Sequence, residues 1–351
     1  LLAALISFLL ISFIRLSYRR VIKERSLWPR VLVLGCGKNA NLIREAVESG
    51  EVKYIDIIGY VAMPGDQQHE IEPDRITLDE PLIHFVEEMR VDEIVLAVDE
   101  RRAGLPNEEL LECKMSGIDI LDLVSFFERR AGKIRIDVLY PSWLYLTEGF
   151  RESTFRRGIK RVFDLVVVLL LLPLALPLGL LVALAVFLEG GCKRPVLYKQ
   201  VRVRDEGRPF DIYKVRSMVV DAEQDGSVRW ASKNDPRVTR VGSLLRKVRL
   251  DELPQLFNIL KGDMSFVGPR PERPEFVEQF VEEIPFYQER HRMKPGLTGW
   301  AQIRYPYGDS EEDALEKLQY DLYYVKNFSI FLDLLIVLQT TEVVLVGKGA
   351  Q

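Results

Sequence analysis

Val31-Leu32-Val33-Leu34-Gly35-Cys36-Gly37-Lys38-Asn39-Ala40 decides the fold of the first half of this 351-residue chain. Four successive apolar residues read as a strand buried on both faces, and the glycines behind them turn the chain into a helix running to about Ser49. Ile55–Val61, Ile94–Val98 and Ile118–Leu121 are further apolar runs of strand length, the last preceded by a helical stretch from Asn107 to Met115. Strands alternating with helices predict an α/β domain with a parallel, doubly wound sheet.

The turn itself has the pattern G-x-G-x-x-A at Gly35, Gly37 and Ala40. Such a turn lets a backbone approach a pyrophosphate at a helix N-terminus, which makes it a candidate nucleotide turn. No acid closes the second strand, where Ala62 and Met63 stand instead, so the usual ribose-binding carboxylate is missing. A tight β–α turn that binds nothing remains an equal alternative. Residues 30–150 carry 13 Lys/Arg against 24 Asp/Glu, too acidic for a nucleic-acid reader, whereas residues 189–270 carry 17 against 11. A basic middle in a chain of net charge −4 points to a local anionic partner. Three cysteines (Cys36, Cys113, Cys192) without a C-x-x-C pair and three scattered histidines (His69, His84, His291) exclude a disulfide scaffold and a Cys/His metal cluster.

Two apolar runs indicate a membrane. Leu1–Ile14 is followed by Arg15, Arg19, Arg20, Lys23 and Arg25, the pattern of the end of a transmembrane helix whose C-terminal side is cytoplasmic. Leu165–Leu188 holds no charge, yet Pro173 and Pro177 sit near its middle. Both of its flanks are basic: Arg156, Arg157, Lys160 and Arg161 before it, Lys193, Arg194, Lys199, Arg202 and Arg204 after it. A crossing segment shows charge asymmetry, so this symmetry predicts a re-entrant helix–break–helix over about 162–188. A third run, Phe328–Val346, contains Asp333 and Glu342 and suits a core or interfacial helix better than a span.

The chemistry lies further on. Asp235-Pro236-Arg237-Val238-Thr239-Arg240 sets two arginines around a turn, and Ser243–Arg249 follows as a helix with Ser243 as its cap. Leu250-Asp251-Glu252-Leu253-Pro254 then places two carboxylates just before a new helix. These acids have two readings: complements to the helix dipole, or a carboxylate pair in a cationic bowl of Arg237, Arg240, Arg246, Arg249 and Arg270. In the second reading the cations hold the carboxylates ionised, able to bind a divalent metal or attack phosphorus. Gly268-Pro269-Arg270-Pro271 fixes an arginine between prolines, and Lys294–Gln302 is another rigid loop with Arg304 behind it. Trp300 there reads as a core aromatic or as a base-stacking one.

From about Gly158 to Gln351 the chain closely resembles the bacterial sugar transferases, polyprenyl-phosphate phosphoglycosyl transferases. The matching blocks are Lys160–Asp164, Lys214–Met218, Asp235–Gly242, Leu250–Leu256, Gly268–Pro271, Lys294–Gln302 and Tyr320-Asp321-Leu322-Tyr323-Tyr324. The chain is similar to the long form, in which transmembrane helices and a nucleotide-fold domain precede the catalytic part. It departs from the pattern in having Leu176 before Pro177, the additional Pro173, and Lys214-Val215-Arg216 in place of Lys-Phe-Arg.

The resemblance implies transfer of a sugar-1-phosphate from a UDP-sugar to undecaprenyl phosphate with Mg²⁺, releasing UMP, as the first membrane step of a surface polysaccharide. It implies Asp251 as nucleophile and Glu252 as its dyad partner, which helps hold the metal or handles protons, with Arg270 and Asp321 as further polar site positions; Arg216 and Arg304 are additional candidate phosphate or substrate contacts. The hairpin would anchor the enzyme in the bacterial inner membrane, its soluble parts facing the cytoplasm and its partners being membrane lipids rather than nucleic acid. The expected domains are 1–29 (end of a transmembrane helix and basic linker), 30–150 (Rossmann-like, a candidate regulator) and 151–351 (mainly helical, membrane-associated, catalytic). The acidic appended domain is also a candidate for homodimer formation. Two rival functions stay open: a UDP-releasing glycosyltransferase, and a non-catalytic nucleotide-sugar-responsive regulator or scaffold.

Overall fold

The structure is a computed structural model that describes residues 24–64, 66, 71, 75–78, 80, 81–100, 104–150, 153–219, 235–305, 308 and 310–346. The apolar run Leu1–Ile14 and its basic flank up to Lys23 lie outside the described residues. The chain divides into two compact units after Leu139.

In the first unit, β1 (Arg30–Leu34), β2 (Asp56–Val61), β3 (Arg75–Ile76), β4 (Glu93–Leu96) and β5 (Asp119–Asp122) form one parallel sheet in the order β3-β2-β1-β4-β5. That order is the doubly wound arrangement expected from the alternating pattern. Alternate residues of β1 serve opposite cores: Val31 and Val33 meet Ile43, Phe126 and Phe127, whereas Leu32 and Leu34 meet Leu82, Val86 and Cys113. Helices α1 (Lys38–Glu48) and α4 (Leu123–Ala131) therefore cover one face, and α2 (Leu82–Glu88) and α3 (Asn107–Met115) the other. The run Val31–Leu34 of β1 is apolar and buried throughout because neither of its faces meets water.

The second unit opens with α5 (Pro141–Leu146) and the long α6 (Thr154–Glu189), capped by the Ser153 hydroxyl, which accepts from the Arg156 amide. An antiparallel hairpin of β6 (Leu197–Val203) and β7 (Pro209–Val215) follows, then α7 (Arg240–Lys247) and α8 (Gln255–Lys261). The short β8 (Ser265–Val267) pairs in parallel with β9 (Gly296–Thr298). Around them lie α9 (Pro274–Glu283), α10 (Trp300–Arg304), α11 (Glu311–Asn327) and α12 (Ile330–Val346). Helix α7 begins three residues earlier than its sequence suggests. Thr239, not Ser243, is its cap and accepts from the Gly242 amide at 3.0 Å.

Among the described residues α6 is the helix long and apolar enough to cross a membrane. It is continuous through Pro173 and Pro177, so the expected break into two helices is absent. Each proline removes one donor, but the helical bonds on either side continue the ladder. Both ends of α6 pack on the second unit. Near its start, Lys160 Nζ pairs with Asp333 Oδ2 at 2.7 Å, and Asp164 Oδ1 accepts from Ser265 Oγ and the Phe266 amide at 2.8 and 2.9 Å. Near its end, Val182 and Val186 pack with Val215 and Leu245, and Glu189 accepts from the Val241 amide at 2.9 Å. Between those contacts Leu170, Leu174, Leu180 and Leu181 are exposed.

Candidate active site

The chain leaves α7 through Arg249, whose φ of 56° is left-handed, and enters a 3-10 turn over Leu250–Glu252. A non-glycine residue held there is costly, and it redirects the backbone so that the next two acids enter the fold. Asp251 and Glu252 are both buried, and Pro254 caps α8 directly behind them. They are therefore more than dipole complements on a solvated helix start, because buried carboxylates need charged or hydrogen-bonding partners.

Glu252 has those partners. Its Oε1 lies 3.5 Å from Arg270 Nη2, and its Oε2 lies 3.9 Å from Arg249 Nη1. The Arg270 Nη1 donates in turn to Gln302 Oε1 at 3.3 Å. Burial works to raise the Glu252 pKa, but Arg270, Lys214 and Arg249 outweigh it and hold the carboxyl below its ordinary value. Asp251 goes the other way. Burial and the adjacent Glu252 charge raise it against the pull of Lys214 and Arg246. Two neighbouring carboxylates thus acquire opposite shifts, because the cations outweigh burial at Glu252 and do not at Asp251, a division common in sites that separate two acid–base roles.

Lys214, on β7, belongs to this candidate site, whereas the sequence of its block singles out Arg216 instead. Burial and the neighbouring Arg202 bring it down to about 8, with Glu252 and Asp251 opposing. The strand's alternation was the available signal: Lys214 and Arg216 are two residues apart and share a face, but the strand ends between them at Val215.

Arg216 lies elsewhere. Its Nη2 donates to the Val186 carbonyl at 3.3 Å, near the end of α6. Arg237 pairs with the buried Asp235, 2.6 Å from Nη2 to Oδ2, and Arg240 is exposed on the first turn of α7. Of the expected bowl, Arg249 and Arg270 contact the pair, and Arg246 acts on Asp251 through its field. Arg304 stands over the Trp300 ring at 4.1 Å, and Trp300, itself buried, stacks on Tyr323; that is the core reading. Asp321 does not reach the pair but forms a buried ion pair with Arg290 at 2.8 Å, a partner without any distinguishing local pattern in the sequence. Burial pushes Asp321 up to about 6 against the pull of Arg290.

Asp251 and Glu252 suit Mg²⁺, which takes one or two carboxylates and completes its shell with water and substrate phosphate. Asp251 makes no ion pair among the described residues, and the contacts of Glu252 with arginine are long enough to yield a ligand position. No group of three His, Cys, Asp or Glu side chains fit for a metal occurs among the described residues, so phosphate oxygens would have to supply the remaining ligands.

At the glycine turn of the first unit the anion positions are taken by the protein's own acids. Asp99 accepts from the Lys38 and Asn39 amides at 3.2 and 2.9 Å, and Asp66 accepts from the Cys36 amide at 2.9 Å. A Cβ at Gly35 would meet the Ala97 carbonyl oxygen at 2.5 Å, and one at Gly37 the Asp99 carboxylate at 2.1 Å. Gly35 is thus required by close backbone packing, a side chain at Gly37 would displace the Asp99 carboxylate, and Ala40 is core. The geometry favours the turn that binds no phosphate.

Residues 155–347 match the model of the bacterial sugar transferase family. The chain is 41% identical over 275 residues to an Aeromonas hydrophila protein named UDP-N-acetylgalactosamine-undecaprenyl-phosphate N-acetylgalactosaminephosphotransferase, with 78% of this chain and 63% of that one aligned. It is 44% identical over 202 residues to the UDP-glucose:undecaprenyl-phosphate glucose-1-phosphate transferase of Escherichia coli K12, covering 56% of this chain and 42% of that protein. With the undecaprenyl-phosphate galactose phosphotransferase of Salmonella typhimurium the identity is 30% over 361 residues, covering 97% and 74%. The first two alignments take in less than two thirds of those relatives' length. Through its second unit the chain belongs to the bacterial sugar transferase family.

Proposed function

We propose that this protein transfers a sugar-1-phosphate from a UDP-sugar to undecaprenyl phosphate and releases UMP, the step that begins a surface polysaccharide on its lipid carrier. The observation that carries the reading is the buried Asp251–Glu252 pair, split in its proton affinities and walled by Lys214, Arg249 and Arg270. The names of the relatives supply the two substrates.

In this reading an Asp251 oxygen attacks the phosphorus that bears the sugar. The bond to the UMP phosphate breaks, UMP leaves with the electron pair, and the phosphosugar rests on Asp251 as an acyl phosphate. An oxygen of undecaprenyl phosphate then attacks the same phosphorus, and the carboxylate of Asp251 is released. Glu252, kept ionised by Arg270 and Lys214, would hold Mg²⁺ together with Asp251. When bound, the ion neutralises diphosphate charge that would otherwise repel a carboxylate. Arg270, Arg249 and Lys214 face the same charge, fixed in place before the substrate arrives.

The membrane anchor belongs to the same proposal. Helix α6 is apolar and exposed in its middle, while both of its ends pack on one unit beside polar residues, Lys160 with Asp333 and Val186 with Arg216. A straight crossing would put those contacts on opposite sides of a bilayer about 30 Å thick. In the proposal α6 stays one helix but kinks at Pro173 and Pro177, and so enters and returns on the cytoplasmic face of the inner membrane, which would satisfy them together.

The test is nucleotide release from protein in lipid nanodiscs supplied with undecaprenyl phosphate, Mg²⁺ and a panel of UDP-sugars. UMP that depends on both the lipid and one sugar supports the proposal. UDP in its place indicates glycosyl transfer, and neither nucleotide indicates a regulator.

A further inference from the structure

Arg270, the nearer of the two arginines at Glu252, sits on a segment with few means of holding itself. Pro269 and Pro271 flank Arg270 and have no amide hydrogen, so little of this loop can donate. It is held through its carbonyls. Pro269 O accepts from the Gly296 amide at 2.9 Å, Arg270 O from Arg290 Nη2 at 2.9 Å, Pro271 O from Arg202 Nη1 at 3.2 Å, and Glu272 O from the Val203 amide at 2.9 Å. Four successive carbonyls are tethered by four different residues, and the tether at Arg270 itself is a side chain.

That side chain is Arg290, which is 4% exposed. Its Nε donates to Asp321 Oδ2 at 3.1 Å, its Nη1 to Tyr287 Oη at 2.7 Å, and its Nη2 lies 2.8 Å from the same Asp321 oxygen. Asp321 and Tyr287 are equally buried, at 2% and 3%. A planar guanidinium can address a carboxylate, a phenol and a carbonyl at once; an ammonium donates from one point and cannot span the three. Neither Arg290 nor Asp321 forms an ion pair or hydrogen bond with Asp251 or Glu252 among the described residues.

We propose that Arg290 is a positioning residue: oriented by Asp321 and Tyr287, it fixes the backbone of Arg270 so that the Arg270 guanidinium faces Glu252. Asp321 then acts through Arg290 and contacts no substrate. The proposal rests on the phosphosugar-transfer reading for its effect on rate, but not for its effect on the loop.

The experiment has two arms, both on the full chain in lipid nanodiscs. Hydrogen exchange over Gly268–Glu272 is compared among the wild type, Arg290→Lys and Tyr287→Phe, the second variant serving should the first not fold. The expected result is faster exchange confined to that segment, larger for Arg290→Lys. Unchanged exchange there, or acceleration across the whole unit, overturns the proposal. In the kinetic arm Arg290→Lys lowers kcat by about 10-fold to 100-fold, the scale of a lost charged hydrogen bond, with a much smaller change in KM. Arg290→Lys combined with Arg270→Lys is no slower than Arg270→Lys alone, because both act at one point. Single-variant losses that multiply in the double variant overturn it. A wild type without turnover removes the functional reading and leaves the exchange arm to decide the proposal.

Discussion

At the scale of single residues, the two carboxylates shift in opposite directions because the cations outweigh burial at Glu252 and do not at Asp251. Asp251 and Glu252 are adjacent and similarly buried, yet Glu252 meets Arg270 and Arg249 directly while Asp251 feels Lys214 and Arg246 only through their fields. The sequence expectation that the surrounding arginines hold both acids ionised is therefore uneven: the shift is downward at Glu252 and upward at Asp251. A carboxylate of higher pKa is the more basic one and, once ionised, the better nucleophile. Asp251→Asn keeps shape and removes that nucleophile. Turnover should fall at least about a thousandfold, roughly 4 kcal/mol in the barrier, with the unfolding temperature unchanged or raised. Turnover near the wild-type rate in a steady-state assay would remove Asp251 from the mechanism.

At the scale of elements, α6 carries both the anchor and part of the frame of the site. Its Asp164 accepts from Ser265 and Phe266 and so holds β8, which leads directly into the Gly268–Pro271 segment. Arg161 reaches the Leu260 carbonyl at 2.7 Å and closes the end of α8, the helix that starts behind Glu252. The membrane segment is thereby coupled to the active-site loops by buried polar contacts, each worth about 1–3 kcal/mol when its partner is removed. The proposal that α6 returns to its entry face makes a direct expectation about access. Cys192, exposed just past its end, and a cysteine introduced by Thr154→Cys at its start should both react with an impermeant maleimide from the cytoplasmic face. Labelling from opposite faces would establish a crossing helix.

At the scale of the whole molecule, the two units differ in legibility for physical reasons. The doubly wound sheet was readable because each strand buried on two faces leaves a continuous apolar run, as Val31–Leu34 does. The buried carboxylate pair was readable as a pair because Asp251-Glu252 stands in a local block. Lys214 and Arg290 were not singled out because their importance comes from distant partners, Glu252 and Asp321, which local spacing does not reveal. The boundary between units falls after Leu139, ahead of the position expected from composition near residue 150, since α5 packs within the second unit: Lys326 stands over Trp143 at 4.2 Å. The glycine pattern of the first unit was legible as a turn but not as a closed one, because Asp66 and Asp99 come from remote loops. NAD at millimolar concentration should therefore leave the unfolding temperature of the protein unchanged. Gly35→Val should lower stability by about 2 kcal/mol or more through its clash with Ala97. Stabilisation by a dinucleotide that Gly35→Val abolishes would show that the turn opens to a ligand.

The central claim is that the sugar phosphate passes through Asp251, and the most direct measurement is a search for that covalent species. The protein, with Mg²⁺ and the accepted UDP-sugar but without the lipid acceptor, is digested under acid and its peptides are weighed. The account predicts a phosphosugar adduct on the peptide containing Asp251, absent from Asp251→Asn and lost when undecaprenyl phosphate is added. Lipid-dependent UMP release without any such adduct, or with the adduct on another residue, would contradict it.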